Sequence, residues 1–172
     1  MIARYRWLLL LGLVCIGMVS VSCGYRFVGG EPLPGGARRI FVPVAENRSA
    51  ETGLETVVTN ALRREVIRRG LEVSASRTEA DAEVRIAIVQ ASGDTITRQS
   101  VVTALERQAV LSAAVIFSPT DGAQPRRMVV TTTETYPMSA DRIATDRQRR
   151  LALEQAATRL AQKVLNNLSA DF

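Results

Sequence analysis

The chain has 172 residues, with 22 lysines and arginines against 17 acidic residues, two cysteines and no histidine. Without histidine it lacks the usual proton carrier near neutral pH and the usual metal ligand, which excludes Ser-His-Asp and Cys-His catalysis and the common zinc sites. The formal net charge of +5 is modest and gives no indication of nucleic-acid binding. A phosphate-binding glycine loop and a nucleophile elbow are also absent from the sequence.

The first 22 residues have the layout of a bacterial signal peptide. Arg4 and Arg6 supply a positive start, and the mostly apolar run 7–21 follows them. That run is shorter than the roughly 20 residues that a permanent transmembrane helix needs. Ser20-Val21-Ser22-Cys23 then resembles a lipobox. We expect cleavage before Cys23 and lipid on this cysteine; ordinary cleavage that leaves Cys23 as a free thiol is the alternative.

These features predict three segments: a signal peptide at 1–22, a lipidated tether at 23–36 and one domain at 37–172. The tether is rich in glycine and proline, which suits an extended segment. The mature chain would have no second cysteine, so packing alone must stabilise it. Loss of Arg4 and Arg6 leaves 20 basic residues (22 − 2) against 17 acidic ones, a net charge of +3.

The first half of the predicted domain contains one strand and one helix. Residues 39–44 form a short strand that Pro43 ends or places at an edge. Ser49 is the expected N-cap of a helix that ends at Gly70. Its apolar stripe at helical spacing is Leu54, Val57, Val58, Ala61 and Leu62. Positive charge suits a helix C-terminus, which gives a structural role to Arg63, Arg64, Arg68 and Arg69.

The middle of the chain reads as strands. Residues 71–73 form a short one, and longer ones follow at 82–90, 105–117 and 128–136, with turn residues at 119–122. In the first long strand Val84, Ile86 and Ile88 share one face. Short connections between the three long strands favour an antiparallel meander.

The final element is a helix with the clearest periodicity in the chain. Thr145 and Gln148 are the expected capping box, and the core stripe includes Leu153, Ala156, Leu160, Val164 and Leu168. Two amphipathic helices and a sheet with one apolar face make a two-layer α+β sandwich. The candidate acid and base aspartates all stand at predicted turns or a helix start, where aspartate is expected on local grounds: Asp94, Asp121, Asp141 and Asp146. We therefore expect a binding or assembly protein, not an enzyme, and no cofactor or metal.

The sequence resembles the LptE family of lipopolysaccharide-assembly lipoproteins. The resemblance rests on Cys23-Gly24-Tyr25-Arg26-Phe27, on Leu33-Pro34 leading into the strand 39–44, on Glu46-Asn47-Arg48 and on the helix 53–70. It extends through the order of elements to the final helix. It implies two helices packed on one face of a mainly antiparallel four-stranded sheet.

The resemblance also implies a function. Members of this family are lipid-anchored on the periplasmic side of the outer membrane, plug and help to assemble the LptD β-barrel, and help to deliver lipopolysaccharide to the outer leaflet. They bind lipopolysaccharide through basic residues near loops, for which the nearest candidates here are Arg126 and Arg127 at the last hairpin and Arg98 as a weaker, separate one. Solvated loop arginines are the alternative. An adaptor lipoprotein of another envelope lipid-transport complex is the alternative function.

Overall fold

The computed structural model describes residues 32–95 and 106–170, so Cys23 and Arg98 lie outside the described residues. It contains two helices and six strands within that part of the chain. The helices are α1 (Leu54–Arg68) and α2 (Arg142–Ser169). The strands are β1 (Arg39–Phe41), β2 (Glu46–Asn47), β3 (Glu72–Ser74), β4 (Ala82–Thr95), β5 (Glu106–Pro119) and β6 (Arg126–Pro137).

The sheet is mixed, with the order β3-β1-β4-β5-β6 and β2 paired to β4. The three long strands β4, β5 and β6 form the predicted antiparallel meander. The α+β class holds, but the expectation of four strands is wrong, since the sheet has six strands. It is also mixed, because β1 and β2 both pair with β4 in parallel and β1 pairs with β3 in parallel. The physical reason is the connection through α1, since a strand that returns through a helix lies parallel to the first.

Both helices cover one face of this sheet, as predicted. On that face the cross-strand neighbours are Val84 with Phe117 and Ile86 with Val115. The apolar stripe of α2 is buried along its whole length, at no more than 2% exposure for Leu153, Ala156, Leu160, Val164 and Leu168. Most of the α1 stripe is buried too, and Val57 is half-buried. The core therefore lies between the helices and one side of the sheet.

Both helices begin at residues other than those predicted. Helix α1 starts at Leu54 after Gly53, whose positive φ of 85° ends the preceding turn. The Ser49 backbone N–H and hydroxyl instead donate to Asn47 Oδ1, at 3.0 and 2.7 Å. Helix α2 starts after Asp141, whose Oδ1 accepts from Ile143 N at 2.9 Å. Thr145 lies inside the first turn and donates to the Asp141 carbonyl, so it is not the N-cap.

The two helices run side by side in the same direction. Near their starts Arg149 pairs with Glu51, and near their ends Arg69 donates to Gln162 O and Asn166 Oδ1. Helix α2 has 28 residues against 15 in α1. Its first turns therefore extend beyond α1, and residues 142–151 include none that is buried. Neither helix in the described part is apolar enough over a sufficient length to cross a membrane.

The last residues of the predicted tether pack on the domain. Leu33 is fully buried, and its backbone exchanges hydrogen bonds with Ala37 at 3.0 and 3.1 Å. Gly35 lies against the Asp121 carboxylate in the turn between β5 and β6. The described chain thus starts at the end of the sheet that carries this turn, opposite the end where α2 begins.

Candidate functional surface: the uncovered face of the sheet

Within residues 32–95 and 106–170, no helix lies over the second face of the sheet. Alternation along the three long strands brings valine, alanine, threonine and serine to this face. Its members include Ala87 on β4, then Val110, Ser112, Ala114 and Ile116 on β5, then Val129, Thr131, Thr133 and Thr135 on β6. The centre of this face, which we call the open face, is therefore uncharged.

Several apolar side chains on the open face are exposed. Val129 is 71% exposed, and Val89 is 44% exposed. Val44, on the segment before β2, is 67% exposed. Isolated exposed valines are ordinary, but a contiguous uncharged surface is typical of a site that contacts another molecule. Ser112 and Thr131 satisfy each other across the strands, with their hydroxyl oxygens 2.8 Å apart.

A groove of about 460 Å³ crosses this face where the segment before β2 meets β4 and β5. Its apolar lining is Pro43, Val44, Ile86, Ala87, Ala114 and Ile116. Two arginine–glutamate pairs line it as well. Arg48 Nη2 lies 2.9 Å from Glu46 Oε2, and Arg85 Nε lies 2.8 Å from Glu83 Oε1. The charges beside the groove are therefore already neutralised in pairs.

The two pairs differ in burial. The Glu83 side chain is only 5% exposed. It also forms an ion pair with Arg77, whose Nε lies 3.2 Å from Glu83 Oε2. The hydrogen bonds that Arg48 donates lower the pKa of Glu46, and the same bonds raise the pKa of Arg48. Glu46 and Arg48 are more than half exposed, so solvent screens their attraction. Glu83 is therefore a buried part of the groove wall, whereas the Glu46–Arg48 pair is exposed to solvent.

The predicted lipopolysaccharide-binding arginines lie next to each other at the start of β6 but on different faces. Arg126 is half-buried on the helix side, opposite Phe117, and Arg127 is exposed on the open face, opposite Ile116. Both line a shallow depression of about 490 Å³ together with Met128, Asn167 and Ala170. The two guanidinium groups can flank one anionic group at the edge of the sheet. They do not point in the same direction, because the two side chains lie on opposite faces of β6.

The start of α2 carries basic residues that sequence reasoning did not select. Arg142, Arg147 and Arg150 are exposed, and none forms an ion pair with a described residue. Ile143 beside them is 75% exposed. Positive charge near a helix N-terminus opposes the helix dipole, so local stability does not explain this cluster. Basic residues at a predicted helix start, where acidic residues are favoured, are the signal by which the sequence could have identified this cluster.

The four arginines at the end of α1 have mostly structural roles, as predicted. Arg63 donates to the Val42 carbonyl at 3.2 and 2.7 Å. Arg68 and Arg69 both bind the buried Glu65 carboxylate, at 2.6 and 2.9 Å. The bond from Arg68 is the largest cause of the lowered pKa of Glu65. Arg64 lines a surface groove between the helices.

Three of the described aspartates serve local structure. Asp121 Oδ1 accepts from Ala123 N at 2.9 Å in the β5–β6 turn, and Asp141 caps α2. Asp81 accepts from the backbone N–H groups of Arg39 and Arg38, and these bonds lower its pKa. No group of three or more histidine, cysteine, aspartate or glutamate residues capable of holding a metal ion occurs in the described part.

Comparison with known proteins identifies relatives of this domain. The profile of the LptE family, described as lipopolysaccharide-assembly, matches residues 37–168. That range contains all six strands and all but the last residue of α2. No curated protein sequence gives a significant match to the chain.

Solved structures of bacterial lipoproteins share the fold. A protein described as a lipoprotein, from Caulobacter crescentus, superposes with a TM-score of 0.54 at 13% identity, covering 76% of this chain and 88% of that one. Rare lipoprotein B from Shewanella oneidensis gives 0.51 at 12% identity, covering 77% and 94%. Lipoprotein B from Nitrosomonas europaea gives 0.50 at 16% identity, covering 86% and 91%. At these identities the likeness establishes the fold alone.

Proposed function

Because the chain belongs to the LptE family of lipopolysaccharide-assembly proteins, we propose that it is an outer-membrane lipoprotein that partners and plugs the LptD β-barrel. In this role it assists assembly of the barrel and helps to deliver lipopolysaccharide to the outer leaflet. The family match over residues 37–168 carries the proposal. The family is one of assembly proteins, so this function needs no catalytic group.

The open face supports a protein partner. Helices bury the centre of the other face, whereas the open face leaves Val129, Val44 and the groove accessible. This surface has no charged group at its centre to desolvate, and covering its exposed valines removes apolar area from water. It would therefore contribute binding energy in a complex with the barrel.

The anchor is the second part of the proposal. We place lipid on Cys23, which lies nine residues before Pro32, the first described residue. Nine extended residues reach about 30 Å. Since residues 32–36 lie beside the β5–β6 turn, the lipid would reach the membrane from that end of the sheet.

Detergent copurification from the outer membrane of the host tests this function. The wild-type chain should bring down the LptD barrel, identified by mass spectrometry. Cys23→Ala should leave an unprocessed chain or release it to the soluble fraction. Recovery of an inner-membrane transporter instead of the barrel would support the adaptor alternative. Mature Cys23→Ala protein that stays membrane-bound after a high-salt wash would contradict the anchor.

Lipopolysaccharide binding is tested by two matched pairs of neutralised arginines. We propose Arg126 and Arg127 as the better site, and Arg98 as a separate, weaker one. Arg126→Gln/Arg127→Gln should weaken binding of purified lipopolysaccharide. The affinity of the wild-type protein should fall as the salt concentration rises, because salt screens the attraction between arginine and phosphate. Arg147→Gln/Arg150→Gln removes the same charge from the other end of the sheet. Greater loss in this second pair would move the site to the start of α2.

A further inference from the structure

The outer edge of β6 is the longest free strand edge in the described part of the chain. β6 spans 12 residues and ends the sheet, so only its inner edge pairs, with β5. The strand at the opposite end, β3, has three residues. Natural sheets usually shorten or cover their end strands, because an open edge pairs readily with other chains. The length of the β6 edge therefore calls for a reason beyond the stability of the domain.

Two contacts identify which backbone groups of β6 point outward. Lys163 Nζ donates to the Thr131 carbonyl at 3.0 Å from outside the strand. Ser112 and Thr131 are cross-strand neighbours whose hydroxyls touch, as expected for a pair without mutual backbone bonds. Since outward groups alternate along a strand, Val129, Thr133 and Thr135 share the orientation of Thr131. Their N–H and C=O groups face away from the sheet.

The side chains of these four residues suit strand addition. All are β-branched and uncharged, and β6 has no glycine and no proline before Pro137. Such residues favour extended pairing. One side chain protects the edge, and it is Lys163, the single lysine of the chain. Its bond to Thr131 blocks one carbonyl and leaves the edge on both sides of it accessible.

The charged side chains beside the outer edge of β6 indicate which kind of partner strand can pair with it. On the helix side the edge is lined by Lys163 and by Arg159, whose side chain is 63% exposed and lies 2.7 Å from Glu134. Glu134 neutralises Arg159, whereas Lys163 forms no ion pair with a described residue. A second copy paired antiparallel about Thr131 would bring the two Lys163 ammonium groups against each other. An acidic side chain on a different polypeptide would accept the hydrogen bond that Lys163 gives up at Thr131.

We propose that an extended segment of the protein partner, with acidic side chains on its helix side, adds to the free edge of β6 as a further strand. Backbone hydrogen bonds to Val129, Thr131, Thr133 and Thr135 supply the attachment, and the open face becomes continuous with the partner. This inference rests on the proposed function, which names an outer-membrane barrel as that partner.

Two variants at Thr133 test the edge in the full-length lipidated chain. Thr133→Pro removes an outward N–H and no bond to β5, whereas Thr133→Ala keeps the N–H and is the matched control. After extraction in detergent, the barrel recovered per chain should fall about tenfold for Thr133→Pro, the change expected when strand addition is blocked. Thr133→Ala should recover the wild-type amount. Wild-type recovery with Thr133→Pro would overturn the proposal.

Lys163 gives a second measurement that does not depend on the folding of any variant. Acetylation of its amine, followed by mass spectrometry, should be markedly slower in the wild-type complex with the barrel than in the free chain. Equal rates would overturn the edge proposal even if Thr133→Pro does not fold. Recovery of no barrel by the wild type contradicts the proposed function itself, whereas recovery unaffected by Thr133→Pro contradicts only strand addition.

Discussion

The two faces of the sheet are made by the same three long strands, yet they have opposite surroundings. On the covered face, Leu111, Val115 and Phe117 are at most 1% exposed under two helices. On the open face, Val129 and the neighbouring threonines remain accessible. Strand alternation explains both, since neighbouring residues of one strand point to opposite sides. The domain therefore takes its stability from one face and leaves the other available for binding.

Buried threonines of the sheet and of α1 show how strict the burial of the core is. Thr132 is 2% exposed and donates to the Ala156 carbonyl at 3.0 Å, which ties β6 to α2. Thr59 accepts from Ala45 N at 2.8 Å and donates to Glu55 O. On the open face, by contrast, Thr133 and Thr135 are exposed. The same residue type is a fixed internal link on one side and an accessible surface group on the other.

The largest expected difference between the two faces is the loss of stability when an apolar side chain is truncated to alanine. Leu160→Ala removes a fully buried side chain of α2 and should lower the free energy of unfolding by about 2 to 5 kcal/mol. Val129→Ala, on the open face, should lower it by less than about 0.5 kcal/mol. Denaturant unfolding of the purified protein measures both. Similar losses in the two variants would mean that the open face is packed as tightly as the core.

The elements with strong periodicity could be predicted from sequence. The stripe of α2 has an apolar residue on the same face at every turn, and the long strands have turn residues between them. The short strands β1 and β3 were also predicted, at 39–44 and 71–73. Only β2 was missed, because its two residues are too few for a pattern. The cap of α1 depended on the backbone at Gly53, which competes with the side chain of Ser49.

The candidate surface was harder to predict than the fold. In the run 131–135 threonine occupies both alternating positions, so composition does not distinguish the buried Thr132 from the exposed Thr133. Arg126 and Arg127 are adjacent in sequence, which suggested one site, but strand alternation separates their side chains. The groove joins residues from the segment 43–48 with β4 and β5, a proximity that depends on the parallel pairing of β2 with β4.

A smaller difference should appear when one hydroxyl is removed from each face. Thr132→Val keeps the shape of the side chain and loses the hydrogen bond to Ala156 O, which should cost about 0.5 to 1.5 kcal/mol of stability. Thr133→Val removes an exposed hydroxyl and should leave stability nearly unchanged. Thermal unfolding of the two variants gives the comparison. A stability loss for Thr133→Val as large as that for Thr132→Val would show that burial is not what separates these positions.

The smallest expected effect concerns two carboxylates, one buried in the helical layer and one exposed beside the groove. In each of them a hydrogen bond from arginine lowers the pKa. Glu65 is 5% exposed in the helical layer and binds Arg68 and Arg69, whereas Glu46 is 61% exposed beside the groove and binds Arg48. A carboxylate with a lowered folded-state pKa stabilises the fold above its ordinary pKa, and this contribution is lost as the pH falls through the folded value. Glu65→Gln should therefore flatten the loss of stability between about pH 5 and pH 3. Glu46→Gln should leave that slope unchanged, because solvent screens an exposed pair. Denaturant unfolding at several pH values measures the slopes, and equal slopes in wild type and Glu65→Gln would contradict a stabilising role for the Glu65 network.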